Sequence, residues 1–317
     1  RPILRGFSAP VILERETSAQ ERAFLLANDT DEFNRWEAGR SLAKEVLTAL
    51  ITGKDAPQAI YFDALASVLR EDHTDPDFRA LALAIPSADD MAQTLFDSGV
   101  TPDPDVIHDA TETLKQSRAE YFQDMLPRLM SEMTVTEPFA PTHEQAGKRA
   151  LGHGILQMLT RLDGGKAAQA LFDRADNMTL SLGALACLLN AGKADAALAS
   201  FRDKWQDDAL VMDKWFMLQV AHADPDKAAE TVTRLTQDPA FTMKNPNRFR
   251  SVFGAFAGHP AGFHQKDGSG YRLLADWLIK LDPINPQITA RMSGAFETWK
   301  RYDGDRQSLI ADQLDRI

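Results

Sequence analysis

Apolar residues recur at helical spacing along almost the whole chain of 317 residues, and this periodicity limits the folds that the chain can adopt. Most periodic segments span a few helical turns, begin at a capping residue or a proline, and are joined by short turns. Many helices joined by short turns are typical of stacked helical hairpins. Because no strict sequence period accompanies them, we predict an all-α, irregular α-solenoid of stacked helical hairpins rather than a regular tetratricopeptide or ankyrin array.

Glycine and proline mark the predicted helix boundaries. Gly53 ends a long amphipathic helix whose apolar face includes Phe33 and Val46. Another long helix is predicted from about Pro104 to Met133. Proline lacks a backbone N–H and collides with the preceding turn, so we predict a kink or a break in that helix at Pro127.

The first residues differ from the rest of the chain. The segment RPILRGFSAPVILERE is rich in proline, glycine and β-branched residues, and residues 9–14 read as a short strand with no partner strand nearby. We therefore predict that residues 1–16 are the end of a preceding β domain and its linker. Residues 17–317 are predicted to form a C-terminal, α-helical superhelical domain.

Charge and composition argue against some classes of partner. The net charge is −11 and no block is dense in lysine and arginine, so we expect no nucleic-acid partner. No apolar run approaches the roughly 20 residues of a membrane-spanning helix, so we expect no membrane partner. The single cysteine, Cys187, lies in the apolar stretch LGALACLLN and cannot form an intramolecular disulfide. We expect it to be a buried core residue of a cytoplasmic protein.

The familiar catalytic and metal-binding motifs are missing from the sequence. His143-Glu144 begins like the helix of a zinc protease, but that motif needs a second histidine one helical turn later, and position 147 is glycine. The chain also lacks a cysteine pair for zinc, a phosphate-binding loop and a Gly-x-Ser-x-Gly elbow. We therefore predict neither catalytic residues nor metal ligands in this chain.

The stretch NPNRFRSVFGAFA, residues 245–257, begins with a strong helix-capping signal. The Asn245 side chain can accept from free backbone amides, and Pro246 fits the first helical position because an N–H there has no partner. A predicted apolar stripe follows, formed by Phe249, Val252, Phe253 and Phe256. Gly254 costs about 1 kcal/mol of helix propensity relative to alanine, so we predict that another helix approaches closely there.

The same cap recurs at Asn285-Pro286. The apolar stripe predicted for the helix that follows consists of Ile288, Met292, Ala295, Phe296 and Trp299. Gln287 and Arg291 lie one turn apart on another face, near the positive end of the helix dipole.

Two interpretations of this polar pair remain open. The guanidinium of Arg291 can receive a carboxylate or a peptide carbonyl beside Gln287, which would make the pair substrate-lining. Alternatively, both are ordinary solvated side chains. Arg248 and Arg250 are weaker candidates for a substrate contact, and Arg250 could equally bind a neighbouring domain.

Seven segments resemble the C-terminal helical domain of bacterial aminopeptidase N, the zinc-dependent alanyl aminopeptidase family, and they occur in the family's order. They are LRGFSAPV (4–11), NDTDEFNRWEAGRSL (28–42), LVMDKWF (210–216), FTMKNPNRFRSVFGAFA (241–257), FHQKDGSGY (263–271), INPQITAR (284–291) and KRYD (300–303). The resemblance covers essentially the whole chain, and the combination of MDKWF with NPNR is specific.

The resemblance implies that the chain is the last domain of a longer metalloprotease of the alanyl/membrane-type aminopeptidase N family, which removes N-terminal residues from peptides. In that family the helical domain closes over the zinc site as a lid and leaves a cavity that admits peptides. The zinc ligands and the substrate loop of the family do not occur in this sequence. Zinc would therefore belong to the parent enzyme, and the chain alone would be inactive. Its partners would be the catalytic and β-sandwich domains of the same polypeptide and the peptide substrate, which Gln287 and Arg291 would face.

An alternative function is a non-enzymatic α-solenoid that binds another protein through aromatic anchors on a concave face. The two functions differ in what precedes this chain. A His-Glu-x-x-His helix in a longer reading frame would favour the aminopeptidase.

Overall fold

The computed structural model describes residues 16–317, and this range contains α-helices, three short 3₁₀ segments and turns but no β-strand. The predicted all-α class is therefore confirmed. The strand predicted at residues 9–14 lies outside the described residues. Within residues 16–317, no helix combines the length and the apolarity that crossing a bilayer requires.

Eighteen α-helices occur in residues 16–317, and they are numbered in chain order. They are α1 Ala19–Asn28, α2 Glu32–Thr52, α3 Gln58–Arg70, α4 Pro76–Ala82, α5 Ala88–Asp97, α6 Pro104–Phe122, α7 Leu126–Glu132, α8 His143–Asp163, α9 Lys166–Arg174, α10 Met178–Asn190, α11 Asp195–Trp205, α12 Ala209–Ala221, α13 Ala228–Thr236, α14 Pro246–Ala257, α15 Pro260–Phe263, α16 Ser269–Leu281, α17 Pro286–Ser293 and α18 Gly304–Leu314. The 3₁₀ segments are Pro225–Lys227, Gly294–Phe296 and Trp299–Arg301.

The described chain separates into two compact units. The first comprises the residues up to Pro86 together with Thr113–Met158, and the second comprises Ser87–Glu112 together with Leu159–Ile317. In the first unit, α1, α2 and α3 pack on one another around side chains that are fully buried, such as Leu26.

The second unit has the arrangement expected of a solenoid. Helix α10 packs on α9, α12 packs on α11, and α14 packs on α13. Helices α10, α12 and α14 also contact one another in series, so the second helix of each pair forms a continuous layer. This layer carries the α14 segment that the sequence singled out.

Local capping signals set several of the helix ends. Ser87 Oγ accepts from the backbone N–H of Asp90 at 3.1 Å at the start of α5. Asn285 Oδ1 accepts from the N–H of Ile288 at 3.1 Å at the start of α17. Gly53 ends α2 in the left-handed conformation, with φ of 65°, which glycine adopts without the steric penalty of a Cβ.

The long helix predicted over 104–133 is interrupted, which confirms the expected break. Helix α6 ends at Phe122 and α7 begins at Leu126, so the break precedes Pro127 instead of falling on it. Pro127 occupies the first turn of α7, where a missing backbone N–H costs little.

Two other expectations need correction. Phe33, predicted on the apolar face of α2, is 48% exposed and lies against Trp36, with ring centroids 5.6 Å apart. The helix that begins at Pro286 was expected to run through Trp299, but it ends at Ser293 and continues as 3₁₀ segments. The Ser293 hydroxyl donates to the carbonyl of Ala290 at 2.8 Å, and glycine, a poor helix former, follows it.

Buried arginines satisfy carbonyl groups in other segments of the chain, several of them at helix ends. Six of them donate in this way: Arg35 to Leu26, Arg79 to Leu69, Arg118 to Leu83, Arg149 to Ala140, Arg248 to Ala240 and Ala209, and Arg306 to His264. The last carbonyls of a helix have no partner within the helix, and a buried guanidinium has several donors to offer. Four of these arginines therefore hold helix ends in place, namely Arg35, Arg79, Arg118 and Arg306. The burial of an arginine in this chain is not by itself a sign of a binding site.

Candidate functional site

The start of α14 is built as the sequence predicts. Asn245 Oδ1 accepts from the backbone N–H groups of Asn247 at 3.0 Å and Arg248 at 3.4 Å, and Pro246 is the first helical residue. The predicted apolar stripe is confirmed, because all four of its side chains are 0% exposed: Phe249, Val252, Phe253 and Phe256. The cap and the stripe together fix the direction in which α14 leaves the preceding loop.

Arg248 points into the second unit and is only 5% exposed. Its Nε donates to Asp213 Oδ1 at 2.6 Å, its Nη2 donates to the carbonyl of Ala209 at 3.2 Å, and its Nη1 donates to the carbonyl of Ala240. Its guanidinium carbon also lies 4.6 Å from the ring centroid of Phe216, within the range of a cation–π contact. Arg248 therefore ties α12 to the start of α14.

Arg250 is half-buried at the surface of the same helix. Its Nε donates to the carbonyl of Pro246 at 3.3 Å, and its Nη2 donates to Asn247 Oδ1 at 2.6 Å. Among residues 16–317, no acidic side chain forms an ion pair with Arg250. Its charge is thus held near the helix start but is not neutralised there.

The close helix contact predicted at Gly254 is not found. A Cβ at this position would meet only the Cβ of Arg250, on the same helix, at 3.8 Å. No atom of another helix in the described chain approaches this glycine within van der Waals distance. The small residue therefore leaves open space on the outward side of α14.

Gln287 and Arg291 are both exposed on α17. Neither side chain forms a hydrogen bond or an ion pair with any described residue. The opposite side of the helix is anchored by Thr289, 5% exposed, and Met292, 8% exposed. The two polar side chains therefore share an outward face, one turn apart, with their hydrogen-bonding capacity unused.

The candidate residues form two pairs, on α14 and on α17 of one unit, and no described contact joins the two pairs. Helix α16 joins the two helices, because its Trp277 packs on Phe253 of α14 at 5.3 Å between ring centroids and the same helix contacts α17. No described contact links Gln287 or Arg291 to Arg250.

A cluster around His264 is one that sequence reasoning missed. His264 is 5% exposed, its Nδ1 lies 2.9 Å from the Tyr271 hydroxyl, and its ring lies 4.3 Å from that of Tyr302. Burial, together with the charges of Arg301 and Arg306, lowers the pKa of His264 to about 3. The imidazole is therefore neutral at physiological pH. No motif spacing marks this histidine, because its partners come from three separate segments.

A shallow polar cleft of about 410 Å³ lies beside this cluster. It is lined by Thr101, Pro102, Asp103, Lys266, Asp303, Asp305 and Arg306. Two of its three carboxylates are compensated: Arg306 Nη1 lies 2.6 Å from Asp303 Oδ2, and Lys266 Nζ lies 3.5 Å from Asp103 Oδ2. Asp305 forms no ion pair with any described residue, but a single carboxylate at a cleft does not by itself define a binding site.

The described residues also place no metal site and no reactive thiol. Across residues 16–317, no group of three or more histidine, cysteine, aspartate or glutamate side chains is arranged to hold a metal ion. Cys187 is 1% exposed, and burial raises its pKa to about 11, so the thiol stays protonated. The expectation of a buried core cysteine is confirmed.

Comparison with known families identifies the domain. The sequence model described as "Domain of unknown function (DUF3458_C) ARM repeats" matches residues 19–317. The chain belongs to this ARM-repeat family. Armadillo-type repeats are α-solenoids of stacked helices, so the match agrees with the observed fold.

Curated relatives of this ARM-repeat domain carry the name Aminopeptidase N. The chain is 38% identical over 324 residues to that of Caulobacter vibrioides, with 99% of the chain matched. It is 36% identical over 326 residues to that of Escherichia coli, also with 99% of the chain matched. The predicted resemblance to the C-terminal helical domain of aminopeptidase N is therefore confirmed.

A solved structure shares the fold of the ARM-repeat domain. The crystal structure of Legionella pneumophila aminopeptidase A in complex with aspartic acid matches 98% of the chain with a TM-score of 0.85 and 27% sequence identity. The chain spans only 37% of the length of this protein and 37% of each of the two curated relatives. The relatives therefore contain other regions that have no counterpart in this chain.

Proposed function

We propose that this ARM-repeat domain is the lid and substrate-access domain of a zinc-dependent aminopeptidase that removes N-terminal residues from peptides. The observation that carries the proposal is the exposed pair Gln287 and Arg291, whose donors and acceptors have no partner among the described residues. A peptide offers the carbonyls and the carboxylate that such groups bind. The names of the relatives support the reaction class.

We assign zinc to another part of the polypeptide. The described residues offer no set of ligands for a metal ion. When bound elsewhere in the parent enzyme, zinc would activate the water that attacks the first peptide bond. The residues of this chain would only bind and orient the peptide and restrict access to the cavity.

The candidate residues divide into two roles in this proposal. Gln287 and Arg291 contact the peptide. Arg250, which has no carboxylate partner in the described chain, is a weaker candidate and binds either the peptide or a neighbouring domain. Arg248 is a positioning residue, because its donors are used inside the unit to hold the start of α14. We also propose a cytoplasmic location, which the single buried cysteine supports.

Kinetics of the full-length polypeptide test the proposal. We expect Arg291→Ala to raise KM for a short peptide more than it lowers kcat, because a residue that only positions the peptide supplies similar binding in the ground state and the transition state. Gln287→Ala should act in the same direction. Arg174→Ala, at an exposed arginine on α9, is the matched control and should leave both constants unchanged.

Two results would contradict the proposal. Unchanged kinetics in both Gln287→Ala and Arg291→Ala would show that the two side chains are ordinary solvated surface residues. The absence of any peptidase activity in the full-length polypeptide would refute the proposed reaction.

A further inference from the structure

Three neighbouring helices of the second unit present a surface that is almost uncharged. Across α10, α12 and α14 the only charged residues are Asp213, Lys214, Arg248 and Arg250. Asp213 and Arg248 are paired with each other inside the unit. The outward side of the three-helix layer therefore carries only Lys214 and Arg250 as charges.

The first helix of each pair differs sharply from this layer in its exposed charge. Helices α9, α11 and α13 expose many charged side chains, among them Lys166, Asp173, Arg174, Asp195, Asp203, Lys204 and Glu230. Charged residues on one face and apolar residues on the other are typical of a helix that borders water. Helices α9, α11 and α13 follow this pattern, but α10 and α12 do not.

Helix α12 shows the departure most clearly. Leu210 is 65% exposed and Met217 is 41% exposed, and both lie on the same outward stripe as Lys214. Apolar side chains therefore occur on the outward side of α12 as well as on its buried side, and a helix with this distribution is normally covered on both sides. On the adjacent α14, Gly254 leaves open space where a side chain would otherwise project.

We propose that this almost uncharged face of α10, α12 and α14 is the interface with another domain of the same polypeptide. The proposal rests on the function proposed above. Depletion of charge with exposed leucine and methionine is typical of the core of a permanent interface, not of a surface in water. We therefore define the docking face by Leu210, Lys214, Met217 and Gly254.

The relatives and the charges point to the occupant. The matched segment is 37% of the length of each curated relative, so the greater part of such a polypeptide lies outside this domain and can cover the face. Lys214 forms no ion pair with any described residue, although the chain as a whole carries a net charge of −11. We infer that the covering domain is apolar opposite Leu210 and Met217 and supplies an acidic or carbonyl group to Lys214.

Thiol labelling of the full-length polypeptide tests this assignment. Met217→Cys places a reporter on the docking face, and Ile279→Cys on α16 is the matched control, because the native side chains are 41% and 39% exposed. Leu210→Cys is a second reporter on the face in case Met217→Cys folds poorly. The probe is a maleimide, and the labelled peptides are resolved by mass spectrometry, which separates each reporter from Cys187.

The expected result is that position 217 reacts at least about tenfold more slowly than position 279 in the folded polypeptide, and that both react equally in urea. Equal native rates in an enzyme that retains peptidase activity would overturn the interface and leave the proposed function standing. Protection that disappears on dilution would identify a second copy as the occupant and would also overturn it. Protection at position 217 without peptidase activity would support the interface and refute the proposed function.

Discussion

Gly270 is the second residue of α16, and the structure has no room for a side chain at this position. A Cβ at this position would overlap the carbonyl oxygen of Phe263. Gly254 is the opposite case, because a Cβ there would make only an ordinary contact at 3.8 Å with its own helix. Glycine is therefore required at position 270 for lack of space, whereas position 254 has room for a side chain. Substitution of each glycine by alanine should have opposite effects on stability.

We expect Gly254→Ala to raise the free energy of unfolding of the isolated domain by about 1 kcal/mol, because alanine is the better helix former and no other helix of the described chain opposes its methyl group. Gly270→Ala should lower the free energy of unfolding by about 1–3 kcal/mol through overpacking. Urea denaturation of the two variants measures both effects. A loss of stability in Gly254→Ala would show that a neighbour occupies the space.

His264 illustrates how burial couples stability to pH. Its pKa of about 3 in the folded chain lies below the value of about 6.5 for an unfolded histidine. Between these values the unfolded chain binds a proton that the folded chain does not bind. The stabilisation is therefore complete above about pH 6.5 and is lost as the pH falls toward about 3.

As the pH falls from about 6 to about 5, proton uptake by His264 in the unfolded chain should lower the free energy of unfolding by about 1.4 kcal/mol per pH unit. His264→Gln should reduce the slope of stability against pH by that amount, whatever its effect on stability at neutral pH. Denaturant unfolding at several pH values gives both slopes. Equal slopes in the variant and the wild type would show that His264 is already protonated when folded.

At the scale of elements, the pair Asp213 and Arg248 joins α12 to α14. The side chain of Arg248 is 6% exposed and that of Asp213 is 14% exposed, so the pair is poorly solvated. Removing one partner leaves the other charge buried without compensation. The pair thus fixes the register between two helices of the layer that forms the docking face.

We expect Arg248→Ala to lower the free energy of unfolding by about 3–5 kcal/mol. Arg248→Lys should recover little of this, because one ammonium cannot reproduce the separate directions of a guanidinium that donates to Asp213, Ala209 and Ala240. Arg202→Ala is the comparison variant: its ion pair with Asp238 is more exposed, so the loss should be smaller. Similar losses in Arg248→Ala and Arg202→Ala would contradict the structural role of Arg248.

At the scale of the whole molecule, the chain matches one part of relatives that are considerably longer. It spans 37% of each of the two curated relatives, and its described residues place no metal ligands together. Under the proposed function, the aminopeptidase activity would require groups from outside this chain. The domain would restrict access of the peptide and orient it.

We predict that the isolated chain neither hydrolyses an alanyl-anilide substrate nor binds zinc stoichiometrically. The physical reason is that no group of three or more histidine, cysteine, aspartate or glutamate side chains in the described residues is arranged to hold a metal ion. Turnover assays with added zinc, and metal analysis after dialysis, measure both. Turnover that survives purification and increases with zinc would refute the assignment of the catalytic centre to another domain.

The sequence alone determined the fold class and most helix boundaries of this protein. The caps at Asn245 and Asn285 were predictable because capping depends on residues within one turn of each other. The stripe of α14 was predictable for the same reason, since helical periodicity is a local property. The resemblance to the aminopeptidase N helical domain could also be recognised from the sequence, because it rests on short segments such as MDKWF and NPNR.

Only the tertiary structure decided the roles of individual side chains. Arg248 and Arg250 look alike in sequence, but contacts with Asp213 and Ala209, distant along the chain, bury one and leave the other at the surface. The open space at Gly254 and the exposure of Met217 could not be predicted from the sequence either, because both depend on which helices pack beside them. Spacing along the chain fixes which residues share a face of a helix, but the packing of other helices fixes whether that face is covered.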